Sequence, residues 1–98
     1  MNQFMVEIKI VGEPDVEFFR LIPEQRATIN ELMEQDKIVS YSLDATRTML
    51  WCIVNAESED AVYEMISHFP LIEYMVPHVF LLMFHNSIIL SIPKFSVN

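Results

Sequence analysis

Apolar side chains recur at every second position from Phe4 through Val6 and Ile8 to Ile10, with Met5, Glu7 and Lys9 between them. A period of two predicts a strand over residues 3–11 with one face in the core. Gly12-Glu13-Pro14 ends it, and from Asp15 to about Asp36 the spacing turns helical. Ile22, Ile29, Leu32 and Met33 form its apolar stripe at three- and four-residue intervals. Pro23 has no backbone donor, so it predicts a kink or a fresh helix start, and the better helix is 23–36. Ile38, Val39, Tyr41 and Leu43 mark a second strand over 37–44, Ala45-Thr46-Arg47 a turn, and Met49, Trp51 and Ile53 a third strand over 48–55 that pairs with the second as a hairpin. Ser58 caps the next helix, with Glu59 and Asp60 in the first turn to complement its dipole. Ala61, Val62, Met65, Ile66 and Phe69 form its buried side, and Pro70 stops it. The last strand, 76–85, is apolar on both faces, as in a strand buried between layers.

The order is βαββαβ, which predicts a ferredoxin-like α+β fold: a four-stranded antiparallel sheet with two helices on one face. Residues 1–87 make that one domain. The remaining 88–98, Ile88-Ile89-Leu90-Ser91-Ile92-Pro93 onward, read as an apolar arm that packs on a neighbouring chain. A chain of 98 residues buries a modest fraction of its surface, yet this one is 52% hydrophobic with a single glycine. Helices cover one face of the sheet, so the bare face predicts a homodimer, with a larger ring as an alternative.

A formal charge of −8, from 14 acidic against 6 basic side chains, opposes a phosphate backbone and excludes nucleic acid as the expected partner. Cys52 has no second cysteine and stands in the apolar run Leu50-Trp51-Cys52-Ile53-Val54, the setting of a buried structural thiol in a reducing, cytoplasmic compartment. Met1-Asn2-Gln3-Phe4 has no basic or small-residue signal pattern. Tyr74 to Ile92 carries no Asp, Glu, Lys or Arg, but Pro77, His78, His85, Asn86, Ser87 and Ser91 interrupt it, and no membrane span is expected.

Several motifs follow one another in a recognisable order: Pro23-Glu24-Gln25-Arg26-Ala27, Asn30, Tyr41, Arg47, Trp51, Ser58-Glu59, Pro70-Leu71, Tyr74-Met75 and Phe84-His85-Asn86. Over residues 3–87 this resembles the muconolactone isomerase-like family of dimeric α+β barrel proteins. The resemblance implies a dimeric barrel and an isomerase that moves a double bond in a small unsaturated lactone or enol acid by proton transfer. It also implies no metal and no organic cofactor. A non-catalytic small-molecule-binding or oligomerisation module of the same fold is the alternative, and a cofactor-independent oxygenase is a third.

The residues themselves offer a short set of candidates. With Ile29 at the centre of the first helix's stripe, Gln25 falls about 40° to one side, Arg26 about 60° to the other, and Asn30 near 100°. A half-buried Arg26 would hold a substrate carboxylate, or else snorkel over the helix edge. Glu7 lies on the strand face away from the helices, where it would shuttle a proton or pair across an interface. Tyr41 and Trp51 would line an aromatic cavity or serve as core and interface aromatics. His85, at the end of the last strand, is the acid–base histidine by residue class, or a turn cap. Without His-x-His, Glu-x-x-His or a cysteine pair, no metal site is expected. Glu7 and His85 are thus the catalytic candidates, either of which would move the proton, and Arg26, Gln25, Asn30, Tyr41 and Trp51 the expected substrate contacts.

Overall fold

A computed structural model describes residues 1–87. The elements run β1 (Asn2–Ile10), α1 (Val16–Glu34), β2 (Ile38–Leu43), β3 (Met49–Ala56), α2 (Glu59–Ile66), a 3₁₀ turn (Ile72–Tyr74) and β4 (Met75–Leu81). All strand pairs are antiparallel and the sheet order is β2-β3-β1-β4. This is the ferredoxin-like α+β arrangement expected from the pattern. The proposed arm, 88–98, lies outside the described residues. No described helix is long and apolar enough to cross a membrane.

The core is the space between the helices and one sheet face. Phe4, Val6 and Ile8 of β1 and Leu50, Cys52 and Val54 of β3 point into it and are buried, as are Ile29 of α1 and Val62, Ile66 and Phe69 in and just after α2. The alternation in β1 is therefore read out directly as burial.

The first helix and the last strand differ from expectation. The first helix is one piece from Val16, with Pro23 inside it rather than at a new start. Asp15 is its N-cap, accepting from Phe18 N at 2.9 Å. Pro23 sits on the exposed side, where the carbonyl that loses its donor can be met by water, so the defect is tolerated. The helix ends at Glu34, with Asp36 in the left-handed region (φ 61°) as the chain turns into β2. The last strand stops at Leu81, not at residue 85, and is an edge strand. Its second apolar face, Val76 and Phe80, is exposed in the single chain, at 42% and 52%.

The stretch between α2 and β4 fixes how the helices meet the sheet. Gln25 Oε1 accepts from the buried Leu71 N at 3.1 Å. Tyr74 donates its hydroxyl to Asp15 Oδ1 at 2.8 Å and meets the Phe18 ring edge-on at 5.0 Å. The Val11 N–H donates to the Tyr74 carbonyl at 2.8 Å, and Gly12, at φ 84°, takes the sharp turn that brings the chain from β1 to the cap of α1. One turn therefore holds the start of α1 and its middle.

Candidate functional site

The seven residues selected from the sequence divide between two sides of the sheet. Tyr41 pairs in register with Cys52, whose side chain is in the core, so Tyr41 faces the helices. Trp51 points the other way, opposite Glu7 of β1 and Ser42 of β2. Tyr41 and Trp51 therefore cannot line one cavity within a chain, because neighbouring residues of a strand face opposite sides.

On the helix side, Gln25 is the buried polar residue of the core, 5% exposed. Its Nε2 is buried and has no partner in hydrogen-bonding geometry among the described residues. The Tyr41 phenol lies close enough to feel this amide without making a well-formed bond; burial raises its pKa and the amide offsets part of the rise. Burial also pushes the Cys52 thiol up to about 12. These groups are poorly suited to ionise and belong to the interior.

Arg26 and Asn30 are exposed, against the expectation of a half-buried Arg26. Phe18, Leu21, Ile22 and Leu32 pack on the core from α1, and with Gln25 and Ile29 they define a face centred near Gln25. At about 100° per residue, Arg26 lies roughly 100° from that centre and Met33 about 80°. Centring the stripe on Ile29 rotated it by about 40°, enough to bring Arg26 onto the wrong side. His85 is exposed and lies four residues past the end of β4.

The open face carries the remaining chemistry. Glu7 is half-buried there, and the Trp51 indole Nε1–H donates to its Oε2 at 3.3 Å. Opposite Glu7 on its other flank is His78 of β4. Ser42, Trp51, Glu7 and His78 thus form one row across all four strands. Met5, Ile53 and Phe80 make the adjoining row on one side, and Lys9, Met49 and Val76 the row on the other. A carboxylate held by an indole stands in a largely apolar surface, flanked by an imidazole and an ammonium group.

Residues 3–88 match the family described as muconolactone delta-isomerase. The chain belongs to the muconolactone isomerase family. A crystal structure of muconolactone isomerase superposes with a TM-score of 0.72 at 20% sequence identity, over 91% of this chain and 96% of that one. That likeness carries the fold. No curated protein sequence matches the chain. The family whose resemblance rests on Pro23-Glu24-Gln25-Arg26-Ala27, Pro70-Leu71 and Tyr74-Met75 is thus the one to which the chain belongs.

Neither of two concavities on the described surface gathers the selected side chains. A groove of about 640 Å³ lies where the end of α1 passes α2, over Thr28, Leu32, Ala56, Ala61 and Met65. A smaller one, about 410 Å³, is bordered by Gln3, Asn55, Leu82 and Phe84. The open row around Glu7 sets a carboxylate, an indole and an imidazole side by side. His78 stands out by no local motif in the sequence. Its value comes from the β1–β4 register, which pairs it with Glu7.

Proposed function

We propose that this protein is an isomerase of the muconolactone isomerase type, moving a double bond in a small unsaturated lactone or enol acid by proton transfer on the open sheet face. Glu7 is the base. The observation that carries the reading is the Trp51–Glu7 contact, which aims one carboxylate oxygen and leaves the other free on an apolar surface. The flanking Met5, Met49, Ile53, Val76 and Phe80 favour a substrate with a hydrophobic ring. A second copy of the chain laid over this face, as a homodimer, would exclude water and complete the walls. Gln25 and Tyr41 then serve the interior, and Arg26, Asn30 and His85 have no part in the chemistry of a single chain.

The test is isomerisation of muconolactone, followed by the ultraviolet absorbance of the conjugated system. Glu7→Gln keeps the shape and the indole contact but removes the base, and should lower kcat by about 10²- to 10⁴-fold. A wild-type chain that binds the lactone without turning it over would refute the isomerase reading. That result would support the second reading, a non-catalytic binding or assembly module, which is favoured by the scatter of Arg26, Asn30, Gln25 and His85 away from Glu7.

A further inference from the structure

We infer that His78 is the proton donor that works with Glu7, so that a carboxylate–imidazole pair on adjacent strands moves the proton between two carbons of the substrate. This rests on the isomerase reading above and adds the second half of its chemistry. Glu7 and His78 are direct partners in the β1–β4 register, which places their Cβ atoms about 5 Å apart on one face. Trp51, the partner of Glu7 on the other flank, donates to Oε2 and holds the carboxylate between the two strands. His78 is exposed and makes no hydrogen bond among the described residues, so its ring is free to meet a ligand. Imidazole is the side chain suited to giving and taking a proton near neutral pH.

The titratable groups on this face, strand by strand, are Glu7 and Lys9 from β1 and His78 from β4; β2 and β3 present Ser40, Ser42, Met49, Trp51, Ile53 and Asn55. Lys9 pairs with Val76, one row from His78, and is about 7 Å from Glu7 along the strand. That spacing suits the carboxylate of a small organic acid whose reacting carbons lie over Glu7 and His78.

The step balances with no external reagent. The Glu7 carboxylate takes the acidic proton from the ring carbon at the far end of the conjugated C=C–C=O system, and the C–H electron pair enters that system as a dienolate. The His78 imidazolium then gives its proton to the carbon beside the carbonyl, a new C–H bond forms, and the double bond comes to rest one position along. Proton transfer from the Glu7 carboxylic acid to the neutral imidazole beside it returns both groups to their starting states.

The experiment separates the two half-reactions with muconolactone in deuterium oxide. Wild type should exchange the acidic ring proton and form product. Glu7→Gln should lose both. His78→Gln should keep the exchange within about threefold while product formation falls about 100-fold or more. Added imidazole should restore at least a tenth of the lost rate to His78→Ala, a recovery that a structural role would not give. Circular dichroism and thermal melting confirm that each variant folds. Product formation by His78→Gln within twofold of wild type overturns the inference and leaves the isomerase reading standing. Equal loss of exchange and product, with no rescue by imidazole, overturns it as well. A wild type that neither exchanges nor isomerises removes the isomerase reading and this inference together.

Discussion

Replacing Gln25 tests how the turn before β4 is held to α1. Its Oε1 accepts from Leu71 N at 3.1 Å, and both residues are buried, at 5% and 6% exposure. Losing that acceptor strands a buried N–H, at about 1–3 kcal/mol. The same side chain carries a buried Nε2 with no partner, a defect whose removal returns a similar amount, about 1–3 kcal/mol. Gln25→Met has nearly the same length and removes both groups, so the two effects offset and the net loss should stay below about 1 kcal/mol. Gln25→Ala removes the same groups and also empties the space. With about 0.8 kcal/mol per lost methylene and about 24 cal/mol per Å³ of residual cavity, it should cost about 2 kcal/mol more than the Met variant. In a domain of this size the Ala variant should melt roughly 10 °C below wild type and the Met variant less than about 5 °C below it. Urea unfolding at several protein concentrations supplies the free energies and separates any contribution from self-association. Amide exchange at Leu71 should accelerate in both variants. A Met variant that loses more than about 2 kcal/mol would refute the reasoning, because it would mean that Nε2 has a partner whose loss is costly.

Two further outcomes follow from the ionisable groups. The Phe18 N–H and then the Tyr74 hydroxyl hold the Asp15 carboxyl below its ordinary pKa of 3.8. A depressed folded-state pKa means that the ionised form favours folding above about pH 4 and that this contribution disappears as pH falls through the folded value. Asp15→Asn should therefore flatten the acid limb of the stability–pH curve below pH 4, as read by thermal melting across pH 2–6; an unchanged limb would contradict the cap. The Cys52 thiol, pushed up to about 12 by burial and 1% exposed, should resist a thiol reagent at pH 8 in the native protein. Labelling should track global unfolding with urea, and rapid modification of folded protein would show that the α1–sheet interface opens locally.

Local pattern carried a long way in this chain. The alternation from Phe4 to Ile10 specified which β1 side chains enter the core, because a strand has only two faces and a period of two needs no information from elsewhere. Ser58 opened α2 for an equally local reason, an oxygen for the free N–H of Ala61, whereas the helix stops at Ile66, short of Phe69 and four residues before Pro70. The run from Pro23-Glu24-Gln25-Arg26-Ala27 to Tyr74-Met75 carried the family. Pro23 misled the reading of α1, because a favourable N-cap eight residues earlier and an exposed position for the proline outweigh one missing hydrogen bond.

The candidate site was less legible. The rotation of α1 is set by which side chains fill the gap over β1 and β3, and a polar Gln25 at the centre of that face is concealed by its own polarity. A stripe centred by eye on Ile29 accordingly put Arg26 inward, where the structure has it in solvent. Tyr41 and Trp51 fall on opposite faces through strand register, which includes an irregularity between Ile38 and Ser40. The apolar character of β4 announced burial, but only the sheet order makes it an edge strand beside β1. By itself the sequence determined the element order, the helix-facing side of β1, the start of α2 and the family. The tertiary structure alone decided that Glu7 lies between Trp51 and His78. Such neighbours are 44 and 71 positions distant along the chain and are joined by hydrogen-bond register between strands, which no local period encodes.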